Sequence, residues 1–272
     1  GVLLLRKSDD DSQRYSGSLR PDYVIPFQKT KEDAQAAFKN FYKGKILLPG
    51  SFVTESRIEA IQGMYGPVWL FDSSVTATAS FRGKNVDTFV VGNNRVTEEH
   101  IYDCEREGTM KFCRVPVDGS KRMDDIWMES IGAYDYSTMV PFTTAYLAGY
   151  LADKYDVPAE EAAPRADALV ADTSLSMLDD TVKGYASVSR IDGFISKDEN
   201  QVAYALAPVW ILTTRYRGEP YTFIMNGQSG KFVGSLPVDR NKSLFYTGLS
   251  FALLLPVLYY ISKYILGMLD LL

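Results

Sequence analysis

Gly66-Pro67-Val68-Trp69-Leu70 is echoed later in the chain by Ala207-Pro208-Val209-Trp210-Ile211. In both segments a proline leads into β-branched, aromatic and aliphatic residues, the composition of a strand with a buried face. The first runs on to Phe81-Arg82-Gly83-Lys84, the second, at shorter spacing, to Tyr216-Arg217-Gly218-Glu219. Read as a duplication, they mark a repeated strand pair, each copy entered at its proline (Pro67, Pro208) and anchored in the core by its tryptophan (Trp69, Trp210). Chance likeness of two strands accounts for the match equally well.

Working outward, residues 75–81 and 88–91 continue the strand pattern, with Arg82-Gly83-Lys84 as a turn between them. Residues 96–104 follow, and Glu105-Arg106-Glu107-Gly108 turns the chain into residues 110–115, which reads as an antiparallel meander. Upstream, residues 22–27 form a short strand that Pro26 confines to an edge or an end. Thr30-Lys31-Glu32-Asp33 opens a helix, with the Thr30 hydroxyl as cap and Ala34, Ala37, Phe38 and Phe41 on one apolar face. Gly44 stops it, and it is expected to pack on the sheet built by the segment that follows.

From Lys121 the period becomes helical. Helices are expected over 123–131, 142–153 and 158–182, the last with a stripe of Ala162, Ala166, Leu169, Val170, Thr173, Met177 and Leu178 and a kink or later start at Pro164. Strand signals return after Gly184, over 185–195, 202–216, 221–225 and 231–233. Asn226-Gly227, with Gly230, forms a hairpin signal because both residues tolerate positive φ. Residues 1–19 read as a solvated linker; Val2-Leu3-Leu4-Leu5 is too short for a signal peptide, and the native chain is expected to begin upstream of Gly1.

The tail is apolar on every side. From Leu244 through Phe251, Leu254, Val257 and Tyr260 no charge interrupts the run, and as a helix it nearly matches a hydrocarbon core of ~30 Å. Pro256 can kink the span and Lys263 can snorkel to an interface beside Tyr259, Tyr260 and Tyr264. Arg240 and Lys242 precede the span while only Lys263 follows it, which by the positive-inside rule puts the globular part in the cytoplasm. The expected fold is α+β: duplicated antiparallel sheet units with an intervening helical segment and one C-terminal transmembrane helix. The divisions are 1–19 linker, 20–120 first α+β repeat, 121–183 helical segment, 184–240 second β repeat and 243–269 membrane anchor.

Composition narrows the function. The net charge of −5 gives no long-range pull toward nucleic acid, and there is no basic patch beyond pairs such as Lys121-Arg122. Two cysteines in 272 residues do not make a disulfide scaffold. The only histidine, His100, would have to serve any Ser-His-Asp triad, and no nucleophile elbow accompanies it. His100, Cys104, Cys113, Glu98 and Asp103 could gather at the Glu105–Gly108 turn, but without CxxC or HxxH spacing they read as core thiols and a surface histidine, and no metal or cofactor is assigned. Asn226-Gly227-Gln228-Ser229-Gly230-Lys231 lacks the spacing of a phosphate loop. Asp124-Asp125 reads as helix capping. An enzyme using the carboxylates from Asp118 to Asp135 with Tyr134 and Tyr136 is the alternative from another class, and it requires a deep pocket in which they converge.

Taken together, Arg20-Pro21-Asp22-Tyr23-Val24-Ile25-Pro26-Phe27, Pro67-Val68-Trp69-Leu70-Phe71-Asp72, Val115-Pro116-Val117-Asp118, Ala133-Tyr134-Asp135-Tyr136, the run from Ala145 to Val157 and Asn226-Gly227-Gln228-Ser229-Gly230-Lys231 resemble bacterial membrane proteins that carry a TFIIB-type zinc ribbon at their N-terminus. The resemblance implies a cytoplasmic, membrane-tethered, non-catalytic protein, similar to members encoded beside PspA-like and flotillin-like envelope-stress proteins. It implies the bilayer and such a membrane-associated protein as partners. The ribbon's paired cysteines are missing from this sequence, so zinc, and any nucleic-acid binding through a ribbon, is left to a segment upstream of Gly1. Site residues are accordingly structural or interacting: Pro67, Trp69, Pro208, Trp210, Asn226, Gly227 and Gly230.

Overall fold

The computed structural model describes residues 20–55, 57–121 and 130–269. The linker expected over 1–19 and nearly all of the helix expected over 123–131, with Asp124-Asp125 at its start, lie outside the described residues.

The chain is mixed α+β around one large sheet. Its elements are β1 (Tyr23–Val24), α1 (Lys31–Tyr42), α2 (Gly50–Glu55), β2 (Arg57–Val91), β3 (Asn94–Asp118), β4 (Val140–Pro141), β5 (Leu151–Ala152), α3 (Ala159–Asp179), β6 (Ser187–Tyr216), β7 (Glu219–Asn226), β8 (Phe232–Gly234) and α4 (Arg240–Leu269). The strand order is β3-β2-β6-β1-β4, with β5 added to β2 and β7-β8 added to β6. This is not a meander: β2 is the central strand, antiparallel to β3 on one edge and to β6 on the other, and the short β1–β6 and β5–β2 pairings are parallel.

The expected turns at Arg82-Gly83-Lys84 and Glu105-Arg106-Glu107-Gly108 are absent; both segments lie within unbroken strands. β2 runs for 35 residues, on the order of 115 Å at ~3.3 Å per residue. The chain reverses instead between Val91 and Asn94, with Gly92 at φ 63°. The polar residues that imitate turns are cross-strand partners: Arg82 Nε lies 3.0 Å from Asp103 Oδ1, and Lys84 Nζ 2.6 Å from Glu99 Oε1.

Along this three-stranded ribbon the inward positions Val75, Ala77, Ala79 and Phe81 are buried while the residues between them are not. α3 covers the inward face. Its buried residues are Ala162, Ala166, Val170, Ser174 and Leu178, a row of every fourth residue narrower than the expected stripe, which leaves Leu169 and Met177 half exposed. Pro158 is its N-cap, and Pro164 lies inside it.

The helix expected over 142–153 does not form. A single 3-10 turn at Thr144–Leu147 gives way to β5, because Leu151 and Ala152 pair with Met64 and Tyr65 at the edge of β2. α1 has the expected capping box, with Thr30 Oγ1 accepting from the Asp33 N–H and Asp33 accepting from the Thr30 N–H. It packs on the segment that follows it, as expected, with Ile58 and Ile61 of β2 beside it, and also on the distant strands, where Phe38 meets Leu212 and Phe223.

Candidate functional site

Trp69 and Trp210 sit in separate clusters and do the same job in each. Trp69 packs on Tyr155 and Tyr204, with ring centroids at 4.9 and 5.2 Å, and donates its indole N–H to the Val157 carbonyl at 2.9 Å. Trp210 packs on Phe27 at 5.2 Å and donates to the Lys29 carbonyl at 2.8 Å. Val157 and Lys29 each lead into a helix, α3 and α1.

The prolines do not mark strand entry; β2 and β6 begin well before Pro67 and Pro208. Each lies where the outer neighbour changes. Beyond Pro67, β3 gives way to β5, and beyond Pro208, β7 gives way to β1. The Pro67 carbonyl accepts from the Gly119 N–H at 3.1 Å and the Pro208 carbonyl from the Gly227 N–H at 2.8 Å. A strand residue's N–H and C=O point to the same edge, so the donor each proline lacks falls at the end of the outer ladder, where the cost is small.

Gly119 and Gly227 complete the likeness, each the centre of a small knot of backbone hydrogen bonds. The Gly119 carbonyl accepts from the Asp156 and Val157 N–H groups, and the Gly227 carbonyl from those of Gln28 and Lys29, all at 2.8–3.1 Å. The side chain before each glycine accepts from the amide after it: Asp118 from Ser120 at 3.2 Å, Asn226 from Gln228 at 2.9 Å. Sequence reasoning located Asn226-Gly227 but missed Asp118-Gly119; the signal was the shared Asx-Gly following a strand.

At the second knot Asn226 and Gly227 do not use positive φ; only Gly230 does, at 81°. Gly227 is required by space, since a Cβ there would lie 2.7 Å from the Phe27 ring and 2.9 Å from Pro208 Cβ. The loop closes through the Asn226 N–H to the Lys231 carbonyl and the Gly230 N–H to the Asn226 carbonyl, both 2.9 Å. Gln228, buried, accepts from the Asp135 N–H at 2.7 Å and donates to the Asp135 carbonyl at 3.0 Å and to Thr138 Oγ1 at 2.7 Å. The left-handed hairpin turn of this half is Arg217-Gly218, at φ 51° and 86°.

Asp118, Tyr134, Tyr136, Arg165 and Leu169 line a largely apolar cavity of about 410 Å³. Asp135 is not among its lining residues; its carboxylate accepts from the Ser137 hydroxyl at 2.6 Å and N–H at 3.0 Å, which, with Arg114 nearby, hold it below the ordinary carboxylate range. Burial raises the Tyr134 phenol well above its usual value, and its hydroxyl donates to the Pro208 carbonyl at 3.0 Å. The geometry therefore does not bring Asp118 and Asp135 together as an acid–base pair. Nor does it gather the histidine and cysteines. His100 lies 3.5 Å from Asp87, Cys104 Sγ 3.1 Å from the Tyr185 hydroxyl, and Cys113 is exposed on the opposite face of β3, about 30 Å further along the strand than Cys104 at ~3.3 Å per residue. Among the described residues no group of three such side chains could hold a metal ion.

Past the segment that follows α3, whose Val182 and Tyr185 still pack on the ribbon, the ribbon tip is exposed. The hairpin past Asn85 exposes Val86, Phe89, Val90, Val91 and Val96. Phe89 lies directly opposite Val96. Among the described residues, the free edge of β3 and the first half of β6 carry no further strand. At the other end, Asp239 caps α4, accepting at Oδ1 from the Asn241 and Lys242 N–H groups. Within α4, the stretch from Arg240 to Lys263 contains an 18-residue run with a mean hydropathy of 1.8, none of it buried, so Leu244, Phe251, Leu254, Val257 and Tyr260 all face outward.

These features define an α+β sheet protein with a long exposed ribbon and one helix long and apolar enough to cross a membrane. The chain belongs to the family of the uncharacterized protein YdjG of Bacillus subtilis (strain 168), to which it is 35% identical over 240 residues, 88% of this chain and 70% of that protein. No family model and no solved structure matches it.

Proposed function

We propose that the chain is a non-catalytic scaffold: two copies of one α+β unit, held at the cytoplasmic face of a cell membrane by α4 as a single-pass anchor, presenting the β3-β2-β6 ribbon to a membrane-associated protein. The observation that carries this reading is the pairing, on one chain, of an exposed apolar helical stretch with a ribbon whose tip exposes five large apolar residues. Apolar surface of that kind is retained where something covers it. The matched contacts of Trp69 with Trp210 and of Gly119 with Gly227 support the duplication. The zinc-ribbon resemblance suggests a PspA-like or flotillin-like partner in an envelope-stress assembly, with any zinc held upstream of Gly1.

Two measurements test it. The full chain is expected to sediment with membranes and to resist extraction by high salt; recovery in the soluble fraction would remove the anchor. Replacing residues 86–99 by Asn-Gly keeps the Asn85–His100 pair and removes the apolar tip. The shortened protein is expected to lose proteins that co-purify with the intact chain from detergent-solubilised membranes, and an unchanged set of companions would count against the ribbon.

A further inference from the structure

The base of α4 is bonded to the globular body. Leu48 N–H closes a turn onto the Lys45 carbonyl at 3.1 Å. The Leu47 carbonyl of the same turn accepts from the Asp239 N–H at 2.9 Å, and the Leu48 carbonyl from Lys242 Nζ at 2.8 Å. Asp239 is the cap of α4, and Leu244, where the uncharged run begins, is two residues past Lys242. At 1.5 Å per helical residue the 45–48 turn therefore stands within about one helical turn of the start of the apolar span.

What this turn exposes is suited to a headgroup layer. Ile46 is 61% and Val238 58% exposed. On the same two bonded segments lie Lys43 and Lys45, just past the end of α1, and Arg240 and Lys242, at the start of α4. Among the described residues no carboxylate forms an ion pair with any of the four. Lys45 Nζ lies 5.7 Å from the Phe41 ring centroid, its stem over an apolar surface. Four cations on these two segments, against the one carboxylate of Asp239, which is engaged in capping α4, stand out in a chain of net charge −5.

We propose that Lys43, Lys45, Ile46, Val238, Arg240 and Lys242 form a docking face for the anionic headgroups of the bilayer that α4 crosses. The proposal rests on the membrane-anchor reading and deepens it. Lysine and arginine beside a negatively charged leaflet are attracted within a Debye length of its surface, and an exposed aliphatic side chain between them enters the interface. The body is thereby held against the membrane at α1 and not hung from a swivel.

The test uses the full chain with Cys104→Ser and Cys113→Ser, reconstituted into phosphatidylcholine vesicles with or without a third of phosphatidylglycerol. An environment-sensitive fluorophore is placed at Ile46→Cys or, as a control within the span, at Phe251→Cys. The Ile46 probe is expected to shift to the blue and to be quenched several-fold more by headgroup-level nitroxide lipids in the anionic vesicles. High salt or Lys43→Glu with Lys45→Glu should reverse the effect. Amide exchange of the unsubstituted chain over residues 43–48, slower in anionic than in neutral vesicles, reads the same face without changing the cysteines. A probe at Ile46 that stays in water in both vesicles, with unchanged exchange, while the Phe251 probe reports lipid, overturns the docking face and leaves the anchor standing. If the Phe251 probe also stays in water, the anchor falls and the docking face with it.

Discussion

Gly66 lies directly opposite Ala207 where β2 pairs with β6, and these two residues head the chain's two like segments. An antiparallel pairing centred there relates the two strands by a local twofold axis. Three residues beyond the centre on one strand stands Trp69, and three beyond it on the other stands Trp210. Like contacts recur further out, at the parallel strands β5 and β1, at the knots at Gly119 and Gly227, and at the segments entering α3 and α1.

This relation predicts that the two tryptophans are matched in their contribution. Trp69→Ala and Trp210→Ala should each lower unfolding stability by about 3–5 kcal/mol. Phenylalanine, which keeps the ring but loses the bond to Val157 or Lys29, should cost only about 1–2 kcal/mol. Denaturant titration of the detergent-solubilised chain measures both, and a large effect at one site with none at the other would refute the equivalence.

Gly227 and Gly230 should respond to alanine for different reasons. At Gly227 the added methyl meets Phe27 and Pro208, so the cost is overpacking, about 1–3 kcal/mol. At Gly230 the conflict is the left-handed backbone, about 1–2 kcal/mol, since the nearest atom is the Lys29 Cε at 3.2 Å, on a flexible side chain. Gly230→Asn should therefore restore much of the loss and Gly227→Asn none, as thermal midpoints will show.

Gln228 ties the second knot to the 135–138 turn. Gln228→Leu leaves the Asp135 N–H without its acceptor and should cost about 2–3 kcal/mol. Gln228→Glu keeps an acceptor for that N–H but loses the donors to the Asp135 carbonyl and Thr138, so it should fall between the two.

Two pH responses follow. Burial pushes the Tyr65 and Tyr136 phenols up to about 12. Because their folded values lie above the usual value near ~10, the stability they contribute is complete below ~10 and is lost as pH rises from there toward 12. Phenolate absorbance against pH should show this late class in the folded chain and lose it on denaturation. Asp135 behaves in the opposite sense: its acidity is strengthened by Ser137, so its contribution is present above the ordinary carboxylate range and disappears on acidification. Ser137→Ala should flatten that acid limb.

Where a residue's role is decided by its near neighbours, the sequence was readable. The Thr30 cap, the span of α3 and the uncharged run of α4 are settled within a few turns of helix. The ribbon was hidden because pairing is decided far away. Arg82-Gly83-Lys84 has the composition of a turn, but Arg82 has Asp103 across from it, and Gly83 is small because the Tyr185 ring packs over it, 2.6 Å from where a Cβ would be. The segment 142–153 has helical periodicity, yet Tyr146 and Tyr150 serve the core around Phe27 and Tyr65, and Leu151 serves the edge of β2. For the site, Pro67, Trp69, Pro208, Trp210 and Asn226-Gly227 were noticed as residues. That each secures the segment entering a helix depends on carbonyls at Val157, Lys29 and Gly119, which no side-chain pattern marks.

The central place of β2 also sets the order in which the molecule can be made. Its hairpin partner β3 is synthesised next, but β6 emerges only after roughly a hundred further residues, which at ~5–20 residues per second leaves one edge of the longest strand open for roughly 5–20 s. An open edge of that length is a template for any other extended chain. The growing hairpin is thus exposed to wrong pairing until β6 covers its open edge, so slower arrival of the second half lengthens that exposure without altering the final stability.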